Sequence, residues 1–467
     1  MEEINTNIKP KLVFILSNKK KQLLSIDDYI YQHNKSTENV SYWKCEEISC
    51  GAGVHLYPNK EFKKFTKHHH NHMPVPERVE VRQLMMNIKK RVLSETTAIG
   101  QIYNEELAKA DLSKPALAMA SSARNANSGL NQARRLTTPN LPTAINFDIP
   151  TQYKTTNDGK RYLLVDRVQK CDGEVFNRIL IFATDDQLKT LFNSTHIMMD
   201  GTFHSSPSHF HQVYTIHAMK NDHSFLCVTA LLGNRTAATY KELFAILTEH
   251  AGRLNLQFRP QKITSDFEAA LIKTIADQLP NTRHVGCNFH FVNAINRQIQ
   301  QLGLVADFRN DESVRSCSRE LMALALVPID ALEIAFKEVV RESPSSLKPL
   351  LDYFDRYWMT KVKWTLWNVS DVEMKTNNFV EGWNHRFNRL VSKYNPNVWH
   401  LFDCLKKEEV LVRQQMLKMI TGEKKDKCKK VLLRQERISF IQMQFNEGQI
   451  NLSELLEGLS LLIGATK

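Results

Sequence analysis

The chain has 467 residues, more than one ordinary core can organise, and the length predicts two to four domains. Its 62 basic residues outnumber its 50 acidic ones for a net charge of +12, which points to a polyanionic partner or, more blandly, to a basic solvated surface. Eight scattered cysteines without a signal peptide argue against a disulfide scaffold and for a reducing compartment, and no apolar run reaches membrane-spanning length, so no membrane partner is expected.

Residues 11 to about 72 read as a small β module, with strands over 11–16, 28–32, 40–45 and 62–69 and polar turns between them. Cys45 and Cys50, followed after nineteen intervening residues by His70 and then His72, carry the ligand types of a closed tetrahedral Zn²⁺ site. Taken one at a time, they also fit two core cysteines and a solvated histidine-rich turn. Lys60, Lys63, Lys64 and Lys67 are candidate phosphate contacts for DNA, or else one solvated strand face. Tyr42, Trp43, Lys44 and Cys45, then Cys50 and the closing His70, Asn71 and His72, resemble the FLYWCH zinc finger, with Phe14 and Tyr31 at its aromatic core positions. A departure is Asn18, Lys19 and Lys20 in the first turn, where that family has a glycine. The resemblance covers about 10–74 and implies DNA recognition by one edge of the sheet.

Met73 to Pro76 reads as a linker, and 77–109 has helical spacing, with Val81, Leu84, Met85, Ile88 and Val92 on one stripe. In the helix pieces of 110–135, Arg124, Arg134 and Arg135 either contact DNA or form a solvated face. Residues 137–153 are a proline-bearing connector. A hairpin pairs 162–168 with 178–183, and a short helix over 185–193 leads into the next strand.

That strand holds Ile197, Met198 and Met199 and ends in Asp200, Gly201, Thr202 and Phe203. A carboxylate closing a buried strand, beside a residue with no Cβ, leaves the backbone open to a charged ligand. Strands over 211–219 and 225–232, a helix over 240–251 and a short strand ending at Asp266 follow. Strand, strand, strand, helix, strand, with acids closing the first and fourth strands, resembles a ribonuclease-H-like domain. In that topology the two acids become neighbours suited to Mg²⁺ or Mn²⁺. Glu268, two residues into the next helix, is expected to face solvent.

Cys287 and His290 have ligand-like spacing at the start of a helix, where they bind zinc or brace the helix. Residues 304–370 are helical by period, and Trp358, Trp364 and Trp367 read as core. From Asn378 another helix carries Phe379, Trp383, Phe387 and Leu390 as a buried stripe, with Glu381 on a different face. Lys19 to Lys21 and Lys424 to Lys430 are weak basic runs, so a nuclear location rests on function instead.

Asp200 and Asp266 in their local sequences, the Cys287 and His290 pair, and Thr376, Asn377, Asn378 and Glu381 together resemble four ordered motifs of the Mutator-like (MULE) transposases over 196–390. What the resemblance implies is a three-acid mechanism, in which Asp200, Asp266 and Glu381 hold Mg²⁺ or Mn²⁺ for DNA cleavage and strand transfer by a nuclear, homo-oligomeric transposase. A domesticated, non-catalytic DNA-binding regulator is the other reading. No phosphate-cradling glycine loop or nucleophile elbow supports a metabolic enzyme.

The expected fold class is multi-domain α/β. A β-sheet zinc finger (10–74) and a helical accessory region (75–160) precede a ribonuclease-H-like core (161–303 and 373–420). A helical insertion (304–372) interrupts that core, and a basic, helical tail (421–467) follows it.

Overall fold

The computed structural model describes residues 10–17, 21–95, 97–171, 174–221, 223–372, 378–422 and 429–464. Asn18, Lys19 and Lys20, Thr376 and Asn377, and the basic stretch 424–428 lie outside the described residues. The chain divides into two units, Met1–Asn140 and Leu141–Lys467. No helix among the described residues is long and apolar enough to cross a membrane.

In the first unit, strands β1 (Val13–Leu16), β2 (Gln22–Ile26), β3 (Tyr29–Ser36), β4 (Ser41–Cys45), β5 (Gly53–Leu56) and β6 (Phe62–Phe65) form one sheet, each strand antiparallel to the next. Two of these strands are additional to the four expected. β2 and β3 are joined by Asp27 and Asp28, whose φ values of 51° and 61° make a tight two-residue turn without the glycine or asparagine that usually signals one. β5 is only four residues long and opens on Gly53, where a Cβ would stand 2.8 Å from the Trp43 carbonyl oxygen. It is too short for its alternation to register, and pairing on both sides holds it in place.

One apolar cluster of this sheet contains Leu24, Ile26, Tyr31, Trp43, Val54 and Leu56 together with Cys45 and Cys50. Ile15, Leu23 and Ile30 form another, against Val79 of α1 (Pro76–Ser94). Helices α1, α2 (Ile99–Lys109), α3 (Lys114–Met119) and α4 (Ala123–Arg134) pack around Leu84, Ile88, Val92, Ile102, Tyr103 and Leu130. The single helical stretch expected over 77–109 is therefore two helices. The half-buried Arg134 donates to the carbonyls of Val92, Glu95 and Thr97 near the end of α1. It caps a helix end and is not a solvated arginine.

The second unit opens with α5 (Thr151–Lys154), followed by β7 (Leu163–Cys171), β8 (Glu174–Phe182), α6 (Asp185–Phe192), β9 (His196–Thr202), β10 (Gln212–Lys220) and β11 (His223–Leu232). Next come α7 (Ala237–Arg253), β12 (Lys262–Ser265), α8 (Ala269–Gln278), β13 (Arg283–Gly286) and α9 (Asn288–Gln301). These strands make a seven-stranded sheet in the order β13-β12-β9-β10-β11-β8-β7. β12 lies parallel to both β9 and β13, and every other pairing is antiparallel.

Alternate residues of the central strands go to opposite faces. Ile197, Met199, Ile216 and Ala230 join the cluster that includes Tyr240, Leu243 and Leu247 of α7 and Leu271 of α8. Val213, Leu226 and Leu231 join the cluster built with Trp383 and Phe387 of α15 (Asn378–Val391) and Phe402 and Leu405 of α16 (Val398–Ile420). Helices on both faces explain why these strands read as continuous apolar runs and not as alternating ones.

Between α9 and α15 lie α10 (Val305–Asn310), α11 (Glu312–Ala323), α12 (Leu332–Glu342), α13 (Lys348–Phe354) and α14 (Trp364–Trp367). Their core contains Phe291, Phe354, Trp358 and Trp367, with the Phe291 and Trp367 rings stacked at 5.1 Å. The last helices, α17 (Lys429–Asn446) and α18 (Leu452–Gly464), contribute Ile438, Leu455, Leu459 and Ile463 to the same core.

Candidate functional site

The first site is built on the small sheet. β4 delivers the buried Cys45, the turn after it delivers Cys50, and the segment beyond β6 returns His70 and His72. One ligand atom from each of the four lies within 4.8 Å of all the others. Cys45 Sγ is 3.2 Å from His72 Nε2, Cys50 Sγ is 3.4 Å from His70 Nδ1, and the two ring nitrogens are 3.4 Å apart. Zn–N bonds of ~2.0–2.1 Å and Zn–S bonds of ~2.3 Å make tetrahedral edges of ~3.4–3.8 Å, so the four atoms already stand at about the spacing the ion requires.

Their outer partners complete the fit. His72 Nδ1 donates to the Met73 carbonyl at 2.9 Å, which leaves the Nε2 lone pair turned to the cluster. His70 Nε2 bonds the Tyr31 hydroxyl at 2.8 Å, and Tyr29 stacks on the same imidazole at 3.6 Å. Burial, and then the neighbouring His72, hold His70 below its ordinary pKa and thus in the neutral, ligating form. Burial pushes the Cys45 thiol up to about 11, so a bound cation is what would hold the thiolate there. The donor set is that of a structural Zn²⁺ site. Tyr31 serves as a core residue and as a positioning partner of His70; its sequence position signalled only the first role.

Lys60, Lys63, Lys64 and Lys67 are all exposed, and Lys63 and Lys64 lie on the edge strand β6. Lys60 sits at a φ of 67° with its ammonium 5.2 Å from the Phe14 ring centre, and Lys63 stands 5.1 Å from that of Tyr57.

The second site lies at one end of the large sheet. Thr264 of β12 is level with Met198 of β9, and two residues further along these parallel neighbours stand Asp266 and Asp200. Met198 packs against Val380 of α15, so the alternation that sends Ile197 and Met199 to the α7 face turns Asp200 towards α15. That helix is held by a fully buried carboxylate of α16: Glu408 accepts from Trp383 Nε1 at 2.9 Å and pairs with Arg386. Its first turn brings Glu381, and one turn on Asn384 donates to Asp200 Oδ2 at 2.8 Å. The Gly201 amide donates to Oδ1 at 2.9 Å.

The three acids share one electrostatic environment. Burial pushes Asp200 up to about 7, followed by repulsion from Asp266 and then Glu381, against the two hydrogen bonds. Burial likewise pushes Glu381 up to about 7 and raises Asp266, which the nearby His290 partly offsets. Burial raises all three, and Asp266 and Glu381 add their repulsion at Asp200; a divalent cation relieves such a site, and oxygen ligands of this kind fit Mg²⁺ or Mn²⁺. Glu381 also leans elsewhere: its Oε1 accepts from the Cys287 thiol at 3.5 Å, and Cys287, His290 and Glu381 are the second group whose ligand atoms all lie within 4.8 Å. The three acids do not form such a group among the described residues.

Two expectations are corrected here. The space beside Gly201 is filled, since a Cβ there would collide with the Gln212 carboxamide. Glu268 is half-buried at the start of α8 and accepts from the Tyr240 hydroxyl at 3.0 Å, because α8 begins one residue later, at Ala269. Asn384 carried no individual signal; its spacing of three from Glu381, which puts both on one helix face, was the available clue.

The molecule thus combines a Cys₂His₂ metal module with an α/β unit that carries coupled acids at one end of its sheet. Residues 14–72 match the FLYWCH zinc finger domain and residues 196–294 match the MULE transposase domain, in agreement with both resemblances read from the sequence. The second match includes Asp200, Asp266, Cys287 and His290 and ends before Glu381. No curated protein matches the chain.

Proposed function

We propose that this chain is a transposase-type DNA-processing protein that recognises DNA through its zinc finger and cuts or joins strands at Asp200, Asp266 and Glu381. The observation that carries the reading is the convergence on Asp200 of β9 of two further acids, Asp266 from the end of β12 and Glu381 from α15, both of which repel its carboxylate, in a unit whose residues 196–294 match the MULE transposase domain. The strand order β11-β10-β9-β12-β13, antiparallel for the first three and parallel for the rest, supports a ribonuclease-H-like core. The chain's net charge of +12 and the exposed lysines of the β6 edge support a polyanionic partner. A nuclear location and a homo-oligomer acting on paired DNA ends belong to the same reading.

Asp200, Asp266 and Glu381 would hold Mg²⁺ or Mn²⁺, which supplies charge neutralisation and activates an oxygen nucleophile for in-line attack at a phosphodiester. Asn384 and the Gly201 amide orient Asp200, and the Glu408 anchor sets the helix that carries Glu381. The alternative of a DNA-binding regulator without catalysis is favoured by one observation, the engagement of Glu381 with Cys287 instead of with the two aspartates.

Cleavage of DNA bearing candidate ends, in Mg²⁺ or Mn²⁺, separates the two. Native activity is expected to fall by at least ~100-fold in Asp200→Asn and in Glu381→Gln, the scale lost when a preorganised electrostatic group is removed. Tight DNA binding without cleavage by any form would establish the regulator instead.

A further inference from the structure

Glu381 faces two sets of chemistry. The carboxylates of Asp200 and Asp266 make a hard oxygen site, whereas Cys287 and His290 are soft and borderline donors. Cys287 immediately precedes α9 and His290 lies in its first turn, so a spacing of three sets both towards the same side of the helix. The Cys287 side chain is fully buried, and its Sγ is 3.5 Å from Glu381 Oε1, about the edge length of a tetrahedral Zn²⁺ site. His290 places a ring nitrogen within 4.8 Å of both partners, and its Nδ1 is buried with no hydrogen-bond partner. A thiol, an imidazole with a buried orphan nitrogen and a carboxylate, delivered by two helices, form a three-ligand site.

We propose that Cys287, His290 and Glu381 bind a soft divalent cation, of which Zn²⁺ is the type, and that this binding withdraws Glu381 from the acid site. On binding, the metal–sulfur bond replaces the Cys287 S–H bond and the proton leaves to solvent; no electron is transferred. The cation contributes an inhibitory input because one carboxylate is shared by two ligand sets of different softness. This consequence rests on the strand-cutting reading above, but the binding site itself does not.

The test is titration of the full chain with Cd²⁺, a spectroscopic stand-in for Zn²⁺, following thiolate-to-metal charge-transfer absorbance, with Zn²⁺ content measured in parallel. Two equivalents are expected, one in the Cys45, Cys50, His70 and His72 site and one here. Cys50→Ser should remove the first alone, and Cys287→Ser the second alone. Because Cys287 is buried and its replacement can disturb packing, Glu381→Gln and His290→Asn are the companion variants. Each should weaken the second equivalent at least tenfold with the melting temperature of the second unit unchanged.

A single equivalent that Cys50→Ser abolishes and that none of the other three variants alters would overturn the proposal. In the Mg²⁺ cleavage assay, substoichiometric excess of Zn²⁺ over the finger site should inhibit the native protein. Two equivalents without cleavage by any form would sink the strand-cutting reading and keep the site. Cleavage accompanied by only one equivalent would do the reverse.

Discussion

The finger cluster and the three acids stand in opposite relations to their folds. In the finger, Cys45 and Cys50 belong to the small apolar cluster of the sheet, and Tyr29 and Tyr31 divide their surfaces between packing and holding the histidines. Two of the four ligands are themselves core residues, so a bound metal would support the fold. In the larger unit, the sheet is covered by apolar clusters on both faces, and Asp200, Asp266 and Glu381 stand at its end. There the fold tolerates burial of the three acids and their repulsion at Asp200, a local cost that a divalent cation would relieve. A small module uses its ligands for stability, whereas a large core can hold acidic groups close together.

The largest effect that would break this contrast is metal removal. Structural Zn²⁺ contributes on the order of 10 kcal/mol in such modules, so chelation, or Cys50→Ser, should unfold the finger. Hydrogen exchange on the full chain should then show lost protection across β1 to β6 and unchanged protection in β9 to β12. Protection that survives chelation in the finger would sink the ligand assignment.

Trp367→Ala is the converse. It removes a fully buried ring that stacks on Phe291, and the expected loss is about 3–5 kcal/mol in the second unit alone. Thermal unfolding with and without chelator measures it, and a matching loss in the finger would show that the two stabilities are not separable.

Asp200 makes the stability of the second unit depend on pH. Its folded pKa lies above the ordinary aspartate value, so its protonated form is the one the fold prefers. The folded protein binds more protons than the unfolded chain between about pH 4 and 7, and the stability from this group is full below that window and lost as pH rises through it. Asp200→Asn should therefore gain ~2–4 kcal/mol relative to the native protein from about pH 4 to pH 7 without divalent cations. Denaturant unfolding of both forms across that range measures the gap; a constant gap would refute the strained carboxylate.

The smallest expected effect is Tyr31→Phe, which keeps the ring and deletes the bond to His70. Zn²⁺ affinity should drop by about 10–100-fold, with little change in the sheet once metal is saturating. Competition with a chromophoric chelator reads this directly, and unaltered affinity would reduce Tyr31 to a packing residue.

Much of both sites was legible because their residue types are rare in combination. Two cysteines and a paired His70 and His72, or an acid closing an apolar strand, signal chemistry in one dimension. Arg134 shows the limit: its charge suggested solvent or DNA, but only the fold brings the end of α1 within its reach. Glu268 was assigned to solvent by counting helix positions, but α8 starts two residues later than that count assumed, and Glu268 lies beside Tyr240. The last helices read as a tail because α17 and α18 carry no cue to their partner, yet Ile438 and Leu459 complete the core around Trp358.

By itself, the sequence determined the ligand chemistry, the apolar runs of the central strands and the helical stripe of α15, since each depends on residue type and local period. Only the tertiary structure decided that β9 and β12 lie side by side, that Asn384 orients Asp200 and that Glu381 accepts from Cys287. Those relations join residues that are 66 to 184 positions apart in the chain, by Thr264 pairing with Met198 and by Asn384 bonding Asp200. No local propensity encodes them: the burial of both faces of the sheet selects one arrangement of distant elements, and the sites follow from it.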